Sequence, residues 1–427
     1  MISALFIAIL VFLLISVPIA VCLGFSSLVA LQVGGYPLIT LAQAVYESLD
    51  SFSLMAIPFF ILAGNLMQTG GMSRRLINLA NVLVGWFRGG LGSVSVLTSM
   101  FFATISGSSS ATTAAVGSTL IPAMEKKGYP KNFATATCAA AGELGVIIPP
   151  SIPMVVYGLV ANVSIGSLFL AGFIPGLLIG ISLVLTIIIV ARVKGFDLVN
   201  RTSLRQWLIE LWRAFTDSFL ALIMPIIILG GIYEGVFTPT EASVVAVVYG
   251  FIVCMFVYRE LKWKDLLPIL GKSAVGTSII MLIVAYASIF GYILTAEEVP
   301  QKLGEALAHF SDSPIVFLLL VNIFLFITGT LMEALVSIII IAPILAPIAV
   351  QFGIDPVHFG IIMVVNMAIG MLTPPVAVNL VVACQIANLK MSQLTRPVLL
   401  YLAILTVDVL IISYIPAISM WLPSLSK

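Results

Sequence analysis

The chain has 427 residues, of which 61% are hydrophobic and 9% charged, and its net charge is +1. Soluble domains carry about 25% charged residues, so a soluble globular fold is excluded, and the charge gives no basis for a nucleic-acid partner. Apolar runs repeatedly exceed the roughly 20 residues that a bilayer crossing needs, which predicts an all-α polytopic membrane protein.

Residues 2–32 are expected to form a first span, retained because no basic region or small-residue cleavage site marks a signal peptide. It ends at Gly34-Gly35-Tyr36-Pro37 and an acidic loop with Glu47 and Asp50. A second span covers 52–69. Residues 70–90 set Arg74, Arg75 and Arg88 among apolar residues, the pattern of a helix lying in the interface. Residues 91–124 are apolar but interrupted at Ile105-Ser106-Gly107-Ser108-Ser109-Ser110-Ala111-Thr112-Thr113. Each arm, about 14 residues, is too short to cross. Both outer ends are basic, with Arg88 before and Lys126, Lys127 and Lys131 after. A segment that starts and finishes on one side is a re-entrant hairpin.

Next, 132–162 is apolar but carries Gly145, Pro149 and Pro150 at its centre. A proline pair removes two backbone donors and disfavours helix at the preceding residue, so this is a broken helix. A span over 165–191 follows. A basic linker, 192–213, with Trp207 and Trp212, reads as interfacial, and 217–236 as a connecting span. Further spans are expected at 240–258 and 274–295, then an amphipathic stretch at 299–312. A second hairpin, 314–350, is interrupted at Thr328-Gly329-Thr330-Leu331-Met332-Glu333. A second broken helix, 357–388, carries Gly370, Pro374 and Pro375, and a last span covers 396–423.

This topology places 17 of the 19 lysines and arginines on one side, leaving Lys302 and Lys427 on the other. By the positive-inside rule the basic side is cytoplasmic, as is the N-terminus. The first hairpin then opens to the cytoplasm and the second to the outside. At a constant offset of 225 residues, Pro122, Gly128, Gly145, Pro149 and Pro150 meet Pro347, Gly353, Gly370, Pro374 and Pro375. Residues 1–191 and 240–427 are therefore read as two repeats, inverted because the extra span within 192–239 makes the intervening count odd. Inverted repeats with discontinuous helices mark secondary transporters.

The breaks expose backbone carbonyls at Gly145–Pro149 and Gly370–Pro374, hard oxygen ligands suited to Na⁺. Each hairpin tip presents a helix N-terminus, suited to a carboxylate. Hydroxyls at Ser106, Ser108, Ser109, Ser110, Thr112, Thr113, Thr328 and Thr330 serve either task. Glu143 and Glu333 lie at membrane depth, where an ionisable residue is a functional suspect; Glu333, at the second tip, is a possible site residue, and Glu143 is read as structural. Asp408 is ambiguous. His309 and His358 fall toward loops with no nucleophile, so they read as surface residues and no enzyme chemistry is expected. Cys22, Cys138, Cys254 and Cys384 have no framework spacing and read as small buried hydrophobes.

Three runs, Gly107 to Gly117, Gly142 to Pro153 and Ala171-Gly172-Phe173-Ile174-Pro175-Gly176, resemble the large membrane subunit of tripartite ATP-independent periplasmic (TRAP) transporters. That resemblance implies an elevator-type importer in the bacterial inner membrane, driven by Na⁺, with no organic cofactor, for sialic acids or C4-dicarboxylates. It implies two partners, a periplasmic substrate-binding protein and a small four-helix membrane subunit. It also implies a first Na⁺ site at Ser106, Gly107, Gly145, Ile148 and Ser151, and a second at Gly329, Gly370, Thr373 and Val376. The substrate carboxylate is expected near Ser108, Ser109, Ser110 and Thr330. Each entering Na⁺ gains about 2.3 kcal/mol per 100 mV and about 1.4 kcal/mol per tenfold gradient, so two ions suffice without ATP. The rival reading is a stand-alone Na⁺–dicarboxylate carrier that needs no binding protein.

Overall fold

A computed structural model describes the chain except residues 16, 88, 197–202, 311–312, 375–376 and 426–427, and the side chains of 306–310. Arg88, Arg201, Asp312, Pro375, Val376 and Lys427 therefore lie outside the described residues, as does the side chain of His309. Among the described residues the structure is helical, without strands. Among those residues, eight helices are long and apolar enough to cross a membrane, nine if one bent pair counts as a span.

The N-terminal third comprises α1 (Ile2–Leu14), α2 (Ile19–Val33), α3 (Ile39–Leu49), α4 (Ala56–Thr69), and α5 (Met72–Val84). The single span expected over 2–32 is instead a hairpin. Pro18, whose missing N–H and fixed φ interrupt a continuous helix, precedes α2, and α1 folds back so that Phe12 and Phe25 lie 6.0 Å apart. The sulfur of Met1 lies against Gly34. The two ends of this segment therefore share a side, and the crossing on which the cytoplasmic N-terminus rested is not there.

The first hairpin is α6 (Gly90–Ser106) and α7 (Ser109–Lys126). Its turn is tighter than expected, because the serine run is the first turn of α7. Gly107, at φ +60°, ends α6 and Ser108 caps α7, accepting from the Ala111 N–H at 3.4 Å. The first broken helix is α8 (Lys131–Gly142), α9 (Leu144–Ile147) and α10 (Ile152–Val160), bent by 42°. Then come α11 (Ile165–Lys194) and α12 (Leu204–Tyr233). In α12 the described part of the expected linker, with Trp207 and Trp212, is continuous with the connecting span rather than a separate interfacial segment.

The remainder holds α13 (Pro239–Ile252), α14 (Trp263–Ala296), α15 (Val299–Phe310), α16 (Pro314–Leu331), α17 (Ala334–Gln351), α18 (Pro356–Gly370), α19 (Val378–Ala387), α20 (Met391–Tyr414) and α21 (Ala417–Leu425). The last span expected over 396–423 ends at Tyr414, and after Pro416 a separate short helix, α21, begins at Ala417.

The helices pack in two groups, a frame and an inner assembly, which α6 joins through α4 and α5, and α17 through α14. In the frame, α13 and α14 pack on α4, α14 also packs on α2 and α3, and α12 packs on α5. Arg75 fastens the frame at the basic end. Its guanidinium lies 2.6 Å from Glu260, 3.2 Å from Asp217 and 3.7 Å over the Tyr258 ring. Burial opposes that charge, but Glu260 and Asp217 outweigh it and raise the group's proton affinity. The inner assembly is the two hairpins (α6 with α7, and α16 with α17), the two broken helices (α8 to α10, and α18 with α19), α11 and α20. Small residues allow this close packing: α8 carries five alanines among its twelve residues and is buried over most of its length.

Candidate substrate and cation site

Each hairpin tip closes on a broken helix at a glycine. At the first, a methyl on Gly145 would lie 2.5 Å from the Ser108 carbonyl oxygen, and one on Gly107 2.9 Å from that of Pro150. The Ile152 N–H donates to the Gly107 carbonyl at 3.3 Å, sealing the tip onto the break. Thr112 Oγ1 lies 2.8 Å from Ser106 Oγ and donates to the Ser108 carbonyl at 2.8 Å. Ser151 caps α10 and donates to the Val146 carbonyl. Ile148 leaves the helix in extended conformation at the bend. Ser106, Gly107, Gly145, Ile148 and Ser151 are thus brought to one oxygen-rich junction, joined by Thr112.

At the second tip a methyl on Gly370 would lie 2.5 Å from both the carbonyl carbon and Cα of Gly329. The Thr373 N–H donates to the Gly370 carbonyl at 2.8 Å, and its hydroxyl donates to Ile369 at 3.2 Å, leaving the hydroxyl's lone pairs available. Gly329, Gly370 and Thr373 meet here; Val376 lies outside the described residues. The hydroxyls of Thr328 and Thr330 are turned back onto α16, donating to the Leu325 and Ile327 carbonyls.

The two junctions touch. Ser109 Oγ lies 4.0 Å from Met371 Sδ. Fully buried Asn379 on α19 donates to Glu143 Oε1 at 2.6 Å, so the first break is tied to the second. Glu143 Oε2 and Asn379 Oδ1 have no other partner among the described residues. A cavity of about 350 Å³ opens beside this point. Ser106–Ala111, Met371 and Glu333 line it from the inner assembly, and Asn65, Gln68 and Lys272 from the frame. Ser108, Ser109 and Ser110 are therefore together with Glu333. Thr330 does not join them: it is not among the residues that line this cavity. A second cavity, of about 410 Å³, lies at the opposite ends of α4 and α14, between Glu47, Ser48 and Thr295 of the frame and Val160, Ile339 and Pro343.

Several assignments change. His358 is not at a surface: it is 2% exposed, with Nδ1 2.6 Å from Ser419 Oγ and Nε2 3.2 Å from the Ser413 carbonyl. It bonds the start of α18 to α20 and α21. Asp408 accepts from Ser182, which accounts for it as a tie between α20 and α11. Buried Asn366 donates to Asn322 at 2.7 Å, joining α18 to α16, a contact that no local pattern announced. Asn65, Gln68 and Lys272 were likewise not singled out, because polar residues near the end of a span read as ordinary interfacial positions. All four cysteines are buried and free.

Residues 6–418 match the family described as "Tripartite ATP-independent periplasmic transporter, DctM component". The chain is 46% identical over 412 residues to the isethionate TRAP transporter permease protein DctMQ of Oleidesulfovibrio alaskensis, covering 96% of this chain and 64% of that protein. It is 47% identical over 385 residues to the C4-dicarboxylate TRAP transporter large permease protein DctM of Pseudomonas aeruginosa, covering 90% and 89%. Among solved structures, the YdaH transporter of Alcanivorax borkumensis superposes with a TM-score of 0.61 at 16% identity, covering 90% of this chain and 88% of that one.

Proposed function

The chain belongs to the DctM component family of tripartite ATP-independent periplasmic transporters, and from that premise we propose that it is the large membrane subunit of a Na⁺-driven importer of organic anions. The anionic group is a carboxylate, as in C4-dicarboxylates or sialic acid. A sulfonate also belongs to the class, since the relative named for isethionate matches almost the whole chain. A periplasmic binding protein delivers the solute, and a small four-helix subunit completes the membrane unit in the bacterial inner membrane.

The observation that carries this reading is the meeting of both tips and both breaks at one place. Gly145 and Gly370 let each tip approach a break with no side chain between them, and unwound backbone at a helix break offers carbonyls to a hard cation. Ser106, Gly107, Gly145, Ile148 and Ser151 hold one Na⁺; Gly329, Gly370, Thr373 and Val376 hold the other. With both ions bound, the tips present a positive surface to the anion at Ser108–Ser110 in the adjacent cavity. The inner assembly, inverted repeats locked by Glu143 and Asn379, moves as one body against the frame in an elevator motion.

Replacing Ser106 or Thr373 by Ala removes one hydroxyl ligand from each site. A net hydrogen-bond-sized loss of about 1–1.5 kcal/mol raises the Na⁺ concentration for half-maximal uptake by about five- to thirteenfold. Uptake measured against Na⁺ concentration in vesicles checks this, and unchanged curves in both variants would sink the assignment.

A further inference from the structure

Among the described residues, Lys272 is the one basic residue lining the cavity beside the first tip, and it belongs to the frame, opposite Ser106–Ala111. It follows Trp263, the first residue of α14, by nine positions, which sets it about 14 Å along the helix. Its neighbour Ser273 accepts from the Asn65 side-chain amide at 2.9 Å. That bond fixes the rotation of α14 against α4, and so the face on which Lys272 stands. The ammonium makes no hydrogen bond or ion pair with the described residues, whereas Arg74 and Arg75 nearby in the frame are engaged by Glu260. Gly271-Lys272-Ser273 matches the end of a phosphate-binding loop, but Leu266 stands where that loop needs glycine and the tripeptide lies inside a helix.

A lysine near a helix end ordinarily reaches for headgroups and water. Two observations set this one apart. The cavity it faces is the one that holds the serine tip, and the cavity at the opposite ends of α4 and α14 is lined by Glu47 with no lysine or arginine. The frame thus sets a positive charge at the basic end, facing the serine tip and Glu333 of the inner assembly, and a negative one at the other end.

We propose that Lys272 is the frame's own ligand for the anionic group of the substrate, engaged when the cavity opens at the basic end and left behind when the tips move away from it. This rests on the organic-anion reading above. Since Lys272 does not travel with Ser108–Ser110, it tunes affinity on one side of the membrane only, holding the anion on the cytoplasmic side before release.

The complete transporter in vesicles, assayed by exchange of labelled succinate or isethionate against unlabelled anion on each side, tests this. Lys272→Met is expected to raise the internal half-saturation concentration about tenfold and leave the external one unchanged; Lys272→Arg restores it to within about twofold. An unchanged internal value, or equal shifts on both sides, overturns the proposal. A second measurement needs no transport: succinate or isethionate should raise the melting temperature of the detergent-solubilised wild-type chain and the Arg variant, but not Lys272→Gln. Equal stabilisation of all three, or of none, overturns it. If exchange proves indifferent to Na⁺, the Na⁺ reading falls while the Lys272 comparison still decides.

Discussion

Alanine at Gly145 or Gly370 abolishes uptake, lowering initial rates at least about a hundredfold. At Gly145 the new methyl lies 2.5 Å from the Ser108 carbonyl oxygen and 2.4 Å from Thr112 Oγ1; at Gly370 it lies 2.5 Å from two backbone atoms of Gly329. Backbone has no rotamer in which to step aside, so the tip must lift from the break. Overpacking of this kind costs about 1–3 kcal/mol or more, and here the displaced atoms are the proposed cation ligands, so transport falls further than stability. Gly230→Ala is the control. A methyl there meets nothing within 4 Å, and alanine favours helix over glycine by about 0.8–1 kcal/mol. Initial-rate uptake with thermal unfolding of the same preparations checks the contrast; normal uptake in both break variants would mean the tips do not seat on these glycines.

Breaking the bond between Glu143 and Asn379 has the second largest effect. Both residues are fully buried and 236 positions apart, so the bond joins the first broken helix to the second across the chain. Glu143→Ala strands the Asn379 amide and Asn379→Ala strands the carboxyl group. Leaving a buried polar group without its partner costs about 1–3 kcal/mol. Glu143→Gln keeps an acceptor for the Asn379 N–H and adds a donor that can satisfy Asn379 Oδ1, so it retains near-native stability. The double alanine variant costs less than the two single variants summed, with a coupling of about 1–2 kcal/mol. Thermal or denaturant unfolding of the four variants measures this. Strict additivity would show that the two groups do not depend on each other.

The parts of the architecture governed by local chemistry were readable in the sequence. Pro149 and Pro150 cannot continue a helix, and the break falls at them. Gly107 adopts the left-handed conformation that ends α6, and Ser108 caps the next helix. The arginines of α5 lie among apolar residues at helical spacing, and the helix forms there. What escaped was tertiary. Hydropathy runs through Pro18 without pause, so α1 and α2 read as one span although a proline marked the fold-back. His358 reads as a surface residue because it falls toward a loop in sequence; α20 and α21 pack over it and bury it. Asn65, Gln68 and Lys272 line the cavity only because α4 and α14 cross there. Glu143 carries no local sign of Asn379, and Thr330, though at the second tip in sequence, is not among the residues that line the cavity with the serine tip.

Uptake by this chain, reconstituted with a small four-helix subunit in vesicles, tests the central claim most directly. Labelled organic anion is supplied outside with an imposed inward Na⁺ gradient, with and without the periplasmic binding protein, and without ATP. Accumulation is expected only when the Na⁺ gradient and the binding protein are both present. Accumulation without the binding protein, or equal uptake when K⁺ replaces Na⁺, would contradict it.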